Sequence, residues 1–391
     1  MRRPNRRPNY TETEDITNWE IPPDYIIYKD GADTIAANGD TGIEDSRNTD
    51  SATVIQYAID QLTSGLIHIK RGSYIVESTI NLKNSIYLVG AGLASTHLGL
   101  SAGFTDNTPM FSLAPLSNGN FFLLRDMTCV GSSASHTGNK GFVSDTTNGK
   151  NMDTIFERVW FNDFDGLGID LSDSAHGCRV DNCWIETCKS GGCSFGGAQL
   201  HMAGCYICDN SGGNGLNLKN GDGTAGMPYP HITNTVIKDN LGGAGLYMDG
   251  VQYGIIQATI ITNGQEGLLF EQAASIGCSI NTFNLICYNN NQEDGGYNDI
   301  LLDNTTNSNS FFLNPFCDVN AAAGSDCNFW GTMAFSGFRS GGRMIANGCG
   351  YQSENPQTGG VWNTAPKEGI TVWDTTAYTP YQYVNGAWRA L

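Results

Sequence analysis

The stretch from Cys178 to Leu218, CRVDNCWIETCKSGGCSFGGAQLHMAGCYICDNSGGNGLNL, contains one pattern twice. The letters VDNCWI and GGCSF around Ile185 return as MAGCYI and GNGLNL around Ile207, 22 residues later. Short apolar runs with Asn and Gly at the corners, repeated at a period in the twenties, are typical of a parallel β-solenoid. The stretch therefore predicts a chain wound into coils of short strands.

The same template recurs on both sides of this stretch. Copies end at Phe161 (FERVWF), Ile237 (ITNTVI), Ile261 (IQATII) and Leu285 (INTFNL). Such units cannot bury their apolar sides alone, so each strand must pair with its equivalent in the next coil, about 4.8 Å away. The fold class is therefore all-β, a single parallel β-helix.

Composition limits the partners and cofactors of this chain. Its 391 residues carry a net charge of −18, which argues against nucleic acid as a partner of the body of the protein. The 12 Cys lack zinc-type spacing, and Cys183 and Cys205 occupy equivalent inward positions, so buried free thiols are favoured over disulfides. We expect no metal or other cofactor, no membrane insertion and no signal peptide.

The ends of the chain differ from its middle. Residues 1–25 contain four Arg and several Pro without apolar periodicity, which predicts an extended arm that docks into a larger assembly. An apolar helical face, with Asp50 or Ser51 as N-cap, predicts a capping helix over 51–63. We expect the β-helix to occupy 26–350 and a small β segment to occupy 351–391.

One segment of the chain resembles a known superfamily. The sequences DSATVIQYAID (50–60), GLIHIKRGSYIV (65–76), INL (80–82) and IYLVGAG (86–92) resemble the first coils of pectate-lyase-like right-handed β-helix proteins. With the later NCWI-type repeats, the resemblance covers roughly residues 26–335. It implies a right-handed coil and, among tail-associated members such as phage tailspikes, a polysaccharide ligand. The catalytic pattern of polygalacturonases is missing, so the resemblance assigns no catalytic residue.

Strand alternation places side chains in outward rows. The predicted arginine–histidine row comprises Ile155, Arg179, His201, His231, Ile255 and Ser279. The predicted carboxylate row comprises Glu157, Asp181, Ala203, Thr233, Gln257 and Asn281. Acids, bases and a cation on one face make Glu157, Asp181, Arg179, His201 and His231 the candidate catalytic residues. A solvated row of mixed charges on an ordinary sheet face is the alternative.

The candidate catalytic residues fit two reactions. Carboxylates one coil apart start about 4.8 Å apart at the backbone, near the ~5–5.5 Å separation of retaining glycosidases. With a uronate substrate, Arg179 would instead pair with the sugar carboxylate while a His removes a proton. The sequence leaves hydrolase, lyase and a non-catalytic protein open.

A predicted aromatic row contains Trp160, Trp184 and Tyr206, followed by Val236 and Ile260. Its rings could stack on sugar, which makes the three aromatic residues candidate substrate-binding residues. Its apolar continuation favours burial against a neighbouring subunit and hence a homotrimer.

Two other features have structural explanations of their own. The repeated D-N-x-G-G-x-G-L at Asp209 and Asp239 is interpreted as turn chemistry rather than as a catalytic pair. Insertions near 131–140, 219–230 and 289–298 are where the walls of a binding site would be built.

The function expected from these observations is a virion tail protein, a tailspike or receptor-binding spike. It would bind host cell-surface polysaccharide and act as a depolymerase if it cleaves its ligand. The arm would join other tail proteins, and the protein would reside in the virion tail or outside the cell after lysis. A non-catalytic structural or adhesin β-helix of a virion and a free extracellular polysaccharide lyase or glycoside hydrolase are the alternatives.

Overall fold

The fold comes from a computed structural model of the protein. The described residues are 22–113, 121–144, 151–152, 154–172, 175–197, 199–219, 227–271, 278–290, 299–302, 307–321, 326–338, 343–346, 349–352, 371–374, 379–384 and 387–390. Most of the predicted arm, much of the C-terminal segment and the insertions at 220–226 and 291–298 lie outside this range. The chain divides into a first unit, residues 1–171 with 176–189, and a second unit, residues 172–175 with 190–391. The predicted domain boundaries stay predictions.

The first unit begins with antiparallel strands and a helix. The strands are Tyr25–Asp30, Asp33–Asn38 and Glu44–Asn48. The helix is Ser51–Gln61, and the Asp50 carboxylate caps it by accepting from the backbone N–H of Ala52 at 3.0 Å and of Thr53 at 3.2 Å. The predicted capping helix is confirmed, although it ends at Gln61 because Leu62 is already extended. No helix of the described residues has the length and apolar character to cross a bilayer.

Parallel pairing arranges the first unit in three ladders, each a set of equivalent strands from successive coils. The first ladder comprises Tyr25–Asp30, Gly65–Ile69, Ile86–Gly90, the start of Phe122–Val130, the start of Thr154–Asn162, and Arg179–Asp181. The second comprises Gly72–Val76, Thr96–Leu100, the ends of Phe122–Val130 and Thr154–Asn162, and Trp184–Glu186. The third comprises Ile80–Leu82, Pro109–Leu113, Lys140–Ser144 and Ile169–Leu171.

The second unit has three parallel ladders of its own. The first comprises His201–Ala203, the starts of His231–Lys238, Ile255–Ile261, Thr282–Tyr288 and Asn307–Ala321, then Asp326–Phe338 and Arg343–Ala346. The second comprises Tyr206–Cys208 and the ends of His231–Lys238, Ile255–Ile261 and Thr282–Tyr288. The third comprises Cys193–Gly196, Leu216–Lys219, Leu246–Asp249, Leu268–Glu271, Ile300–Leu302 and the end of Asn307–Ala321.

Shorter strands complete the described structure. Met227–Pro228 pairs with Val251–Gln252 in parallel. The strands Asn151–Met152 and Ala175–His176 are two residues each. Near the C-terminus, Cys349–Gln352, Thr371–Asp374, Thr379–Val384 and Ala387–Ala390 pair in mixed directions. This part of the chain therefore departs from the parallel pattern of the ladders.

In most ladder strands, alternation turns every second side chain into the core. In the first unit, the Phe142 ring packs against Phe122, with centroids 5.9 Å apart, and against Phe156, at 4.8 Å. In the second unit, Phe283 and Phe311 stack at 4.6 Å and 7°. Ten of the 12 cysteines have described side chains, and these ten are buried free thiols, as predicted. Burial raises the pKa of the Cys188 thiol to about 12.

Corners between strands use left-handed backbone, which short polar residues and glycine adopt most readily. Asp209 and Asp239 have φ of 57° and 54° at equivalent corners of the second unit. The next residues, Asn210 and Asn240, are fully buried, and the Asn210 Nδ2 donates to Asn240 Oδ1 at 2.7 Å. The turn interpretation of the D-N-x-G-G pattern is therefore confirmed.

The amide stack continues through the second unit. The Asn240 Nδ2 donates to Asn263 Oδ1 at 2.9 Å, and the Asn263 Nδ2 donates to Asn290 Oδ1 at 2.8 Å. The Asn290 Nδ2 then donates to Asp299 Oδ1 at 2.9 Å. Each side chain satisfies its neighbour inside the corner, so the stack links successive coils without leaving these amides unpaired.

Candidate functional site

The outward rows predicted for the first unit are present in the register of its first ladder. Ile155 lies beside Arg179, and Glu157 lies beside Asp181 on the next coil. Arg125 precedes Glu157 on the coil before. The fold thus brings together Glu157, Asp181 and Arg179, three of the candidate catalytic residues.

Arginine side chains form ion pairs with the carboxylates of this cluster, which we call the first-unit cluster. The Arg158 Nε donates to Asp126 Oδ1 at 2.6 Å and its Nη2 to Asp126 Oδ2 at 3.0 Å, a bidentate pair. These bonds to Asp126 raise the pKa of Arg158 further above its ordinary value. Arg158 also pairs with Glu157, whose Oε2 lies 3.8 Å from the Nη1 of Arg125. Glu157 therefore lies between two guanidinium groups.

The candidate cation is also engaged within the first unit. The Arg179 Nε donates to Asp181 Oδ2, and Asp181 is only 6% exposed while Arg179 is exposed. Arg179, considered above as a partner for a sugar carboxylate, thus pairs with a carboxylate of its own strand. A ligand that used either member would first have to displace the other.

The second unit holds the two histidine candidates. His201 and His231 are equivalent residues of adjacent coils, and their rings make an edge contact with centroids 5.2 Å apart. Both side chains are half-buried on the outward face of the first ladder. The described outward residues that accompany them are Ala203, Thr233, Ile255, Gln257, Thr282, Asn284, Ser310 and Phe312. We call this set, with the two histidines, the polar face of the second unit.

The structure corrects the predicted rows beyond Ile256. The predicted core residue Ile280 is 50% exposed, and Phe283 pairs with Ile256 and is buried instead. Thr282 and Asn284 therefore replace Ser279 and Asn281 in the outward rows. Phe283 follows its equivalent Ile256 by 27 residues rather than by the 24 that separate Ile261 and Leu285, so the outward positions of this coil move by three. Earlier coils also insert an extra left-handed corner residue, Gly204 or Asn234, that strands 255–261 and 282–288 lack.

The missing corner residue also corrects the predicted aromatic row. Trp160 and Trp184 are equivalent residues with ring centroids 5.8 Å apart, and Trp184 is 44% exposed. In the second unit, Tyr206 is 37% exposed and lies beneath the Lys238 Nζ, 5.8 Å from the ring centroid. The predicted Ile260 is fully buried, and the outward equivalent of Val236 is Thr259. The apolar stripe behind the trimer prediction is thus interrupted by a hydroxyl.

One set of exposed residues escaped the sequence analysis. Tyr229 and Tyr253, each two residues before a first-ladder strand residue, are 58% and 46% exposed. Their rings are stacked at 5.4 Å and 22°. Both tyrosines lie just before the strands, where strand alternation does not predict the direction of a side chain. Their constant offset of two residues from His231 and Ile255 could have identified them.

The insertion at 131–140 packs onto its own unit. The Lys189 Nζ donates to the Ser133 carbonyl at 2.6 Å and pairs with the Asp165 carboxylate at 3.1 Å. The Gly138 N–H donates to the same carboxylate at 2.6 Å and lowers the pKa of Asp165. This insertion is therefore anchored by ionic contacts within its unit.

The buried Glu266 makes the stability of the second unit depend on pH. It is 5% exposed, and burial raises the pKa of its carboxyl group. The pKa of Glu266 is higher in the folded state than in the unfolded state. Its contribution to stability is therefore fully present below the unfolded-state pKa and is lost as pH rises through the folded-state pKa. Glu266→Gln is expected to raise the melting temperature near pH 8, because the amide carries no charge that burial would penalise.

The measurement is a thermal melt by circular dichroism at acidic and alkaline pH. Below the unfolded pKa of about 4.3, the Gln variant and the parent should melt together. The exposed Glu77→Gln serves as the control and should show no pH-dependent difference. Equal melting of Glu266→Gln and parent at alkaline pH would contradict the assignment.

Comparisons with known proteins rest on structure. No family model and no curated protein sequence match the chain. DFA-IIIase from Arthrobacter chlorophenolicus A6, in complex with GF2, aligns with TM-score 0.54 and 12% identity over 74% of this chain and 84% of that one. The Agl-KA catalytic domain aligns with TM-score 0.51 and 13% identity over 75% of this chain and 64% of its own.

A full-length tailspike protein 2 from an Escherichia coli O157:H7 bacteriophage also matches. Its TM-score is 0.48 at 13% identity, with 73% of this chain and 36% of that chain covered. All of these identities are low, so the likeness concerns fold and not activity. By its ladders and by its likeness in fold to DFA-IIIase and the Agl-KA catalytic domain, the chain is a right-handed parallel β-helix protein.

Proposed function

We propose that this protein binds a polysaccharide along the polar face of the second unit. The observation that carries the proposal is the chemistry of this face, where His201, His231, Gln257, Thr282 and Asn284 point outward from successive coils. Imidazole, amide and hydroxyl groups each offer hydrogen-bond donors and acceptors, as the hydroxyl groups of a sugar do. A flat sheet face with one such group per coil suits an extended chain of sugars.

The spacing of the coils supports the same ligand. Equivalent residues of neighbouring coils repeat about every 4.8 Å along the ladder. A linear polymer lying across the strands therefore meets a new polar side chain at each coil. A small ligand would use only part of this row, so a repeating polymer is the better fit.

The setting in which the protein acts belongs to the same proposal. We assign it to a virion tail, as a homotrimeric spike whose residues 1–25 dock to other tail proteins and which meets cell-surface polysaccharide outside the cell. The resemblance of residues 50–92 to tail-associated β-helix proteins supports this assignment. The exposed Trp184 and Tyr206 supply apolar surface for a neighbouring subunit or for sugar.

Cleavage of a polysaccharide by the first unit is a second candidate function. Its support is the placement of Glu157 and Asp181 on adjacent coils of the first unit. A retaining glycosidase needs two carboxyl groups about 5–5.5 Å apart, one as acid and one as nucleophile, and equivalent residues of adjacent coils start about 4.8 Å apart at the backbone. Both acids pair with arginine, so cleavage requires a substrate that rearranges these ion pairs.

One experiment separates binding from cleavage. Bacterial capsular and O-antigen polysaccharides are immobilised, and binding of the protein is measured by surface plasmon resonance. The double variant His201→Ala with His231→Ala is expected to bind at least ~10-fold more weakly, because each lost hydrogen bond contributes about 1 kcal/mol. Size-exclusion chromatography of the same polymers after incubation reports cleavage, which Asp181→Asn should slow ~100-fold if this acid is catalytic.

Three results would contradict these proposals. Binding of the double variant with the parent affinity, or failure of the parent to bind any polymer, would contradict ligand recognition by the polar face. An Asp181→Asn variant that shortens polymers as fast as the parent would exclude the first-unit cluster as the catalytic site. His97→Ala, on the outward face of the second ladder in the first unit, is the matched histidine control.

A further inference from the structure

A row of bulky side chains stands at one corner of the second unit. Gln199, Tyr229, Tyr253 and Ile280 each precede a first-ladder strand residue by two positions, and all are exposed. Their φ angles are 65°, 62°, 56° and 60°. On each of four successive coils, this corner therefore holds a non-glycine residue in the left-handed region.

The left-handed backbone of this corner does not require tyrosine or isoleucine. The left-handed region is unfavourable for bulky and especially for β-branched residues such as Ile280, whereas Gly and Asn adopt it readily. Equivalent corners of the first unit have Ser85 and Gly177, with φ of 58° and 70°. Tyr229, Tyr253 and Ile280 are about half exposed, so core packing does not offset their backbone strain. Strained, exposed residues of this kind point to a binding role.

Two of these side chains stack on each other from adjacent coils. The rings of Tyr229 and Tyr253 are nearly parallel, at 22°, with centroids 5.4 Å apart. The Tyr229 N–H donates to the Gln252 carbonyl at 2.9 Å, and the Tyr253 N–H donates to the Ser279 carbonyl at 3.2 Å. The backbone beneath each ring is thus held by the next coil, and the exposed ring surface is preorganised.

This surface borders the polar face at a constant offset. Tyr229 lies two residues before His231, and Tyr253 lies two residues before Ile255. Aromatic ring faces carry negative charge density, so they attract the weakly positive C–H groups on the apolar side of a sugar ring. A polymer on the polar face would reach these rings with its neighbouring sugar faces.

The charge of this region narrows the class of polymer. The described first-ladder and corner residues of 199–203, 229–233, 253–257, 280–284 and 310–313 include no Asp, Glu, Lys or Arg. A uronate or sialate chain requires cations, and a protein of net charge −18 repels it. The same two facts disfavour single-stranded nucleic acid, which also stacks on aromatic rings.

We propose that Tyr229 and Tyr253 form a stacking subsite for an uncharged polysaccharide, which extends the polar face at its corner. This inference rests on the proposed function and adds the class of ligand and two specificity residues. A second copy of this chain on the same surface is the rival occupant.

The test uses the full chain and the immobilised polysaccharide panel, divided into polymers with uncharged repeats and polymers with uronate or sialate. The parent is expected to bind only uncharged polymers, with the same affinity at low and high salt. The double variant Tyr229→Asn with Tyr253→Asn should bind at least ~10-fold more weakly, a scale consistent with the loss of two aromatic contacts. Its melting temperature should equal or exceed that of the parent, since Asn suits the left-handed backbone.

The matched control is Tyr288→Asn, an exposed tyrosine of the second ladder in the same unit, which should bind as the parent does. Selective binding of acidic polymers, or unchanged affinity of the double variant, would overturn the subsite while polysaccharide binding itself survives. A double variant that changes the oligomeric state in sedimentation and leaves affinity intact would assign the surface to a second copy. Failure of the parent to bind any polymer would overturn both proposals.

Discussion

Replacement of Asn263 by Ala is expected to lower the free energy of unfolding by about 3–5 kcal/mol, because each buried polar group left unpaired costs about 1–3 kcal/mol. The Asn263 Oδ1 accepts from the backbone N–H of Asn240 at 3.2 Å and from its Nδ2 at 2.9 Å. The Asn263 Nδ2 donates to Asn290 Oδ1 at 2.8 Å and to the Ile237 carbonyl at 3.3 Å. Alanine can replace none of these bonds, and the buried site gives water no easy access.

Urea denaturation followed by far-UV circular dichroism measures this loss. Asn284→Ala is the matched control, since Asn284 is an exposed asparagine of the neighbouring coil. The control should change stability by less than about 0.5 kcal/mol. If both variants unfold at the parent's urea concentration, the amide stack does not hold the coils together.

Phe311→Ala is expected to lower the free energy of unfolding by about 3–5 kcal/mol, the usual loss for a fully buried phenylalanine. Phe311 is 0% exposed, its ring stacks on Phe283 with centroids 4.6 Å apart, and Phe270 meets it edge-on at 6.0 Å. The substitution leaves a cavity between coils whose strands are fixed by parallel pairing, so the core cannot readily collapse into it.

The next residue of the same strand provides the control. Phe312 is 45% exposed, so Phe312→Ala should change the free energy of unfolding by less than about 1 kcal/mol. Denaturant unfolding of the two variants compares the two faces of one strand directly. Equal losses in the two variants would contradict the inward and outward assignment of this strand.

Much of the fold could be predicted from local pattern. The β-helix, the capping helix at Ser51–Gln61, the buried free cysteines and the turn at Asp209 all depend on features that repeat or that act over a few residues. The rows through Glu157, Asp181, His201 and His231 could be predicted for the same reason. Alternation along a strand determines which side chains leave the core, and parallel pairing repeats that choice at the equivalent residues of the next coil.

The candidate site was predicted only in part. The sequence placed Arg179 and Asp181 in neighbouring rows, but their mutual ion pair depends on side-chain direction. The pairing of Arg158 with Asp126 was missed because both residues occupy left-handed corner positions, where strand alternation does not apply.

By itself, the sequence determined the coil repeat, most of the inward apolar positions and the outward positions of His201 and His231. Only the tertiary structure decided the register after Ile256, where the absence of the extra corner residue buried Ile260 and turned the half-buried Thr259 outward. It alone brought the Tyr229 and Tyr253 rings into contact. The physical reason is that a period of two fixes a side chain's direction within a strand, whereas a single residue gained or lost at a corner changes the alignment of every strand that follows.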